Sequence, residues 1–228
     1  MKIMMFSKKN NPFCDYAECI LKGYLRKDDY LSVRGNVGES FDEELRYYTP
    51  EYIISFLSPW IFSKSFLQIA KTAAINFHPG SPDYPGSGCY NFALYESNKK
   101  YGVTAHHMKE KVDSGEIIMT SYFDIAPLDT VETLKVKSMN HLLYLFDSVL
   151  SIITSEAELP KSPEIWRRKP FTKKDLSQLL EVDPINHTKE DIEKRIRAGI
   201  YPGYKGAFVN ISEQKFYFPY DENSKPLV

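Results

Sequence analysis

Ala73-Ala-Ile-Asn-Phe-His-Pro-Gly-Ser-Pro82 is a short apolar run that ends in an Asn-x-His pair and breaks into a loop whose path proline and glycine fix. Similar apolar runs lie at residues 1–6 and 52–57. Between them come stretches of helical spacing. Asn11-Pro12 supplies a cap and a first-turn proline for Phe13, Ala17, Ile20, Leu21 and Tyr24, and Phe66, Leu67 and Ala70 share one face of residues 63–71. Strands alternating with helices predict an α/β fold with a Rossmann-like, open, mostly parallel sheet flanked by helices. Such sheets bind ligands at the carboxyl ends of their strands, and Asn76 and His78 lie at such an end.

Downstream, residues 102–108 and 116–125 predict two more strands, with Asp113 in the loop between them. Asp129, with Glu132 in the reciprocal position, is read as the cap of a long helix ending near Glu156. The polar, proline-bearing stretch from Leu159 to Phe171 predicts a boundary near Phe171. Residues 1–171 then form a catalytic domain and 172–228 a small α+β extension, with a helix from Thr188 to Gly199 and short strands around Phe208 and Phe216.

With 29 basic against 30 acidic residues the chain carries a formal charge of −1, which argues against nucleic acid or an anionic membrane as a partner. Cys14, Cys19 and Cys89 match no metal-ligand spacing and read as reduced thiols; no signal peptide or membrane-length apolar run is read, so a cytoplasmic protein is expected. Zinc on His78, His106, His107 and Asp113 is disfavoured, because adjacent residues of a strand point to opposite faces; no metal is expected. His106 is better read as a buried residue that orients the site.

An amide, an imidazole and a carboxylate suit acyl transfer to an amine, where negative charge builds on an oxygen and a proton must leave. Asn76 and His78 are candidate donors to that oxygen, and Asp113 a candidate proton acceptor or relay. Read singly, His78 is a capped histidine at a strand end and Asp113 a turn former before Ser114-Gly115. A folate- or nucleotide-binding module without activity is the alternative of another class.

Three ordered blocks, Ser-Phe-Leu-Ser-Pro (55–59), Asn-Phe-His-Pro-Gly-Ser-Pro (76–82) and Gly-Val-Thr-Ala-His-His-Met (102–108) followed by Val-Asp-Ser-Gly-Glu-Ile (112–117), resemble the catalytic domain of the 10-formyltetrahydrofolate-dependent formyltransferases. The resemblance covers roughly the first three quarters of the chain. It implies Asn76, His78 and Asp113 as the catalytic set and 10-formyltetrahydrofolate as co-substrate. Main-chain groups of Phe56, Leu57 and Ser58 and of Lys109, Glu110, Lys111 and Val112 would hold the pterin.

Among the branches of that family, the phosphoribosylglycinamide enzymes carry a glycine-rich phosphate loop after the first strand; here the first glycine is Gly23. The methionyl-tRNA branch carries a sizeable later domain and a basic surface, whereas about 57 residues follow Phe171 here. The run from His78 to Ala93, with Pro79, Gly80 and Ser81, and the tail segment from Arg195 to Phe208 are more similar to the sugar-nucleotide N-formyltransferases of surface-polysaccharide (O-antigen, lipopolysaccharide) synthesis. That implies a dTDP-linked 4-amino- or 3-amino-4,6-dideoxyhexose, the 4-amino sugar preferred. Arg197, Lys205 and Lys9 are candidates for the diphosphate, and Tyr201, Tyr204 or Trp166 for the base. Trp166 reads equally as an anchor tying the tail down, and Arg195 and Arg197 as a charged helix surface. The aromatic content leads to the expectation of a homodimer.

Overall fold

The computed structural model describes residues 1–218. Four strands, β1 (Ile3–Lys8), β2 (Tyr30–Gly35), β3 (Tyr52–Phe56) and β4 (Ala73–His78), run parallel, and β5 (Lys100–His107) and β6 (Ile117–Asp124) complete the sheet antiparallel. Their spatial order is β2-β1-β3-β4-β5-β6. Helices α1 (Pro12–Tyr24), α2 (Lys64–Leu67), α3 (Cys89–Tyr95), α4 (Val131–Thr154), α5 (Lys173–Leu180) and α6 (Lys189–Gly199) flank it, and β7 (Phe208–Ile211) pairs with β8 (Gln214–Tyr217) as a separate hairpin. Among the described residues no helix is long and apolar enough to cross a membrane.

Strand β1 reads Ile-Met-Met-Phe because both of its faces are covered. Ile3 and Met5 pack with Ile54, Phe56, Ile75, Phe77 and the inner face of α4 around Phe146. Met4 and Phe6 pack on the other side with Ile53, Phe62 and Phe66. The start of α1 is set by Asn11, whose side chain accepts from Phe13 N at 3.0 Å and Cys14 N at 3.3 Å.

The cap of α4 differs from the sequence expectation. Asp129 turns its carboxylate back to Ala126 N at 2.6 Å and takes Lys137 Nζ at 2.6 Å, leaving the N-cap to Thr130 and the reciprocal position to Thr133 rather than Glu132.

The segment around the expected boundary is sewn onto the rest of the chain. Phe171 stacks on Phe92 with ring centroids 3.6 Å apart, and Leu179 and Ala198 share a buried cluster with Tyr84, Tyr101 and Val131. Arg167 N donates to Pro82 O at 3.0 Å, Phe171 N to Pro85 O at 2.9 Å and Ser87 N to Phe171 O at 2.8 Å. Residues 166–171 are therefore a strap across the loop that follows β4.

Candidate active site

Asn76 and His78 are two apart on β4 and share the face opposite Ile75 and Phe77, which serve the core. Antiparallel pairing sets Asn76 directly beside His106 of β5, and their side chains meet, Asn76 Nδ2 to His106 Nε2, at 3.1 Å. Asp113 arrives from the β5–β6 turn with φ of +43°, a left-handed conformation that L side chains adopt at some cost and that recurs at functional positions.

All three expected catalytic residues converge. Asp113 Oδ2 lies 3.2 Å from His78 Nδ1 and accepts from Gly86 N at 2.7 Å, while Oδ1 lies 3.3 Å from His106 Nε2. Burial works to raise the carboxyl's pKa. The charge of His78, the hydrogen bond and charge of His106 and the Gly86 N–H outweigh it and hold Asp113 far below the usual carboxylate range. The group therefore stays ionised although it is 5% exposed.

His78 Nε2 sits 2.9 Å from Tyr84 O, which only accepts, so that nitrogen carries its proton. Both His78 nitrogens are thus engaged. Gly80 makes this contact possible: a Cβ there would lie 2.4 Å from His78 Nε2 and 2.8 Å from Tyr84 O. Gly86, at φ +86°, is likewise required, because its Cβ would fall 2.3 Å from Phe171 O.

Asn76, His78, His106 and Asp113 open onto a cavity of about 480 Å³. Of the expected pterin contacts, Leu57, Ser58, Lys109, Glu110 and Val112 line it. Phe56 turns its side chain into the core and Lys111 lines a neighbouring cavity. Leu57 has φ +52°, so the chain bends sharply where β3 meets the cavity.

The expected substrate contacts scatter. Pro79 lines the cavity, Gly80 underlies His78, and Ser81 is buried with its hydroxyl toward Asp83. Lys9 pairs with Glu39 at 3.0 Å, and Arg197 donates to the carbonyls of Pro127 and Asp129, both at 2.9 Å. Neither lines the cavity, since each cation is spent on a structural acceptor. Tyr201 takes Lys135 Nζ on its hydroxyl and packs edge-on against the exposed Tyr204; Lys205 lies over Tyr217. Trp166 donates Nε1–H to Gly115 O at 2.8 Å and stands edge-on to His106 and His78, with centroids 5.0 and 5.9 Å away.

Sequence reasoning overlooked Trp60, Phe62, Leu67, Met108, Ser87 and Phe171, which also line the cavity, and the Gly86 N–H. The apolar run continuing past Pro59 carried a signal for the first two. Leu67 comes from α2 and Ser87 from the loop after β4, while Met108 and Phe171 become neighbours through the strand pairing and the strap.

With this geometry in place, comparison with known proteins decides the lineage. Residues 5–145 match the family model described as formyl transferase. The chain belongs to the formyl transferase family. A methionyl-tRNA formyltransferase of Ehrlichia ruminantium is 27% identical over 190 residues, covering 81% of this chain and 60% of that protein. The chain spans less than two thirds of the length of the curated relatives it matches. Among solved structures, a 4-N formyltransferase from Francisella tularensis superposes with a TM-score of 0.79 at 17% identity, covering 96% of this chain and 97% of that one. An N-formyltransferase from Helicobacter canadensis, solved with folinic acid and dTDP-3-aminofucose, superposes with a TM-score of 0.73 at 22% identity over 94% and 86% of the two chains. At these identities the superpositions establish a common fold.

Proposed function

We propose that this formyl transferase moves a formyl group from 10-formyltetrahydrofolate to the amine of a dTDP-linked amino-4,6-dideoxyhexose, a 4-amino sugar by preference. The observation that carries the proposal is the meeting of Asn76, His78 and ionised Asp113 at one cavity of a size suited to a small ligand. The apolar side chains of Leu57, Phe62, Leu67 and Met108, with Ser58, Lys109, Glu110 and Val112 beside them, fit a flat heterocycle with a hydrogen-bonding edge. Bound there, the folate supplies an activated formyl group.

The chain's own residues do the rest. Asn76 lines the cavity, and its NH₂, once turned from His106, can donate to the formyl oxygen, where negative charge grows; one such donor typically contributes on the order of 100-fold or more in rate. For His78 to donate there as well, its Nε2–H must release Tyr84 O. Asp113 stays charged to receive, directly or through water, the proton the incoming amine gives up.

The sugar-nucleotide acceptor is supported by the two full-length structural likenesses, one of them to a protein that holds a dTDP-amino sugar and a folate together. The start of α1 supports it too, because Asn11 already accepts from the first free amides, which are then not open to cradle a phosphate. A homodimer is part of the proposal; exposed Ile211, Phe216 and Tyr217 on the β7–β8 hairpin offer apolar surface for it, and sedimentation measures it.

The test is turnover of 10-formyltetrahydrofolate against dTDP-4-amino and dTDP-3-amino sugars, with phosphoribosylglycinamide and methionyl-tRNA as competing acceptors. Formylated amino sugar in the product supports the proposal. Turnover confined to either competitor reassigns the acceptor, and none with any amine leaves a binding module.

A further inference from the structure

The proton inventory around His106 fixes more than the position of its ring. His106 Nδ1 lies 2.9 Å from His107 O, a carbonyl that only accepts, so Nδ1 carries a proton. The other nitrogen, Nε2, faces two groups at once, Asn76 Nδ2 at 3.1 Å and Asp113 Oδ1 at 3.3 Å. These neighbours make opposite demands. If the ring is neutral, Nε2 is a lone pair that accepts from the Asn76 NH₂ but points at a carboxylate oxygen. If the ring is charged, Nε2–H donates to Asp113, and the Asn76 NH₂ then meets a donor.

An amide resolves that conflict by turning half a revolution about its last bond, which exchanges its oxygen and nitrogen with almost no change of shape. The two states of His106 thus select opposite ends of Asn76 for the cavity. With the NH₂ toward His106, one of its hydrogens is committed to that ring and the free end of the amide is Oδ1, which has no donor among the described residues. An acceptor there would repel a developing oxyanion. With Oδ1 toward a charged His106, the NH₂ faces the cavity and becomes the donor that formyl transfer needs.

We propose that His106 is a positioning residue: held as an imidazolium by Asp113, it turns the Asn76 amide so that its NH₂, not its oxygen, faces the reacting formyl group. Asp113 is the charged group the ring touches, and the same carboxylate joins it to His78 of β4. From the strap comes Trp166, edge-on and without a titrating proton; His107, next along β5, turns away to line the neighbouring cavity. The ring is 2% exposed, so water offers no ready alternative partner. One carboxylate then has two tasks, proton handling beside His78 and donor orientation through His106. This rests on the proposed role of Asn76 as a donor to the formyl oxygen.

Two measurements test it, and they fail separately from that role. Nitrogen-15 spectra of the histidine side chains in the ligand-free protein should show His106 protonated on both nitrogens at the pH of turnover; a neutral ring bearing only the Nδ1 proton overturns the inference without touching catalysis. A double-mutant cycle supplies the second. His106→Leu should lower kcat by roughly 10- to 100-fold, with KM for the formyl donor within about threefold. In an Asn76→Ala background the same change should cost less than about threefold, since nothing remains to orient. Full additivity would mean that His106 acts through Asp113 or the fold alone and would overturn the inference. An Asn76→Ala variant that keeps wild-type kcat would instead remove the donor role itself.

Discussion

Asp113→Asn separates charge from shape at the centre of the site. The carboxylate has three partners, Gly86 N and His78 Nδ1 at Oδ2 and His106 Nε2 at Oδ1. An asparagine oxygen at the Oδ2 position keeps the Gly86 N–H and stays against His78 Nδ1, and its NH₂ can face His106 once that ring is neutral. The hydrogen-bond count is nearly preserved, so the stability loss is confined to the difference between charged and neutral acceptors, about 1–2 kcal/mol, or roughly 3–6 °C in Tm for a chain of this size. Activity has no such refuge. Removing the acceptor of the amine's proton should cost about 10²- to 10⁴-fold in kcat, equivalent to roughly 3–5 kcal/mol of barrier. The assay is single-turnover release of tetrahydrofolate with saturating amino-sugar acceptor, at a temperature well below the variant's melting point, beside a thermal melt of the same sample. An Asp113→Asn enzyme within tenfold of wild type would refute the proton-handling assignment, and a collapse of the fold would refute the claim that shape is kept.

Gly86→Ala should lose about 3 kcal/mol, a fall in Tm of roughly 6–12 °C, because φ of +86° is unfavourable for alanine and its Cβ would strike the Phe171 backbone; differential scanning calorimetry reads it. Since the folded-state pKa of Asp113 is depressed, its contribution to stability is fully present above the unfolded carboxylate value of about 4 and is lost as pH falls further. In urea titrations the advantage of wild type over Asp113→Asn should therefore hold from pH ~6 to ~4 and shrink below that; an advantage that grows on acidification would reverse the sign. Trp166→Phe removes the hydrogen bond to Gly115 O but keeps an aromatic edge against both histidines, so about 1 kcal/mol of stability should go with kcat nearly intact, whereas Trp166→Ala should lower kcat as well, in the same turnover assay.

Much of this arrangement was legible before any coordinates. The buried runs of β1, β3 and β4 announced a parallel sheet because a strand covered on both faces has to be apolar throughout. The Asn-x-His spacing put two polar side chains on one face at a strand end. Strand β2 escaped notice because it is a half-buried edge strand whose Ser32 and Arg34 interrupt the apolar pattern. Helix α3 begins at Gly88 with no side-chain cap, and α5 is a single short helix opened by Thr172 and Asp175, so neither carries a long periodic signal. The surroundings of Arg197 and Lys9 were hidden for a different reason. A cation in a sequence shows its charge but not its partner, and here carbonyl groups and Glu39 had already claimed them. His106 was visible as an orienting residue, but its choice between two amide ends depends on three atoms that meet only across paired strands.

The strap has a consequence for anyone recombining this chain with its relatives. Residues 82–87 and 166–171 exchange backbone hydrogen bonds, and Gly86 meets Phe171 without room for a single methyl group. The two stretches, some eighty positions apart in sequence, are therefore one heritable unit. A chimera that draws them from different parents should keep its sheet and lose the seat of its carboxylate, so a productive crossover must transplant both together.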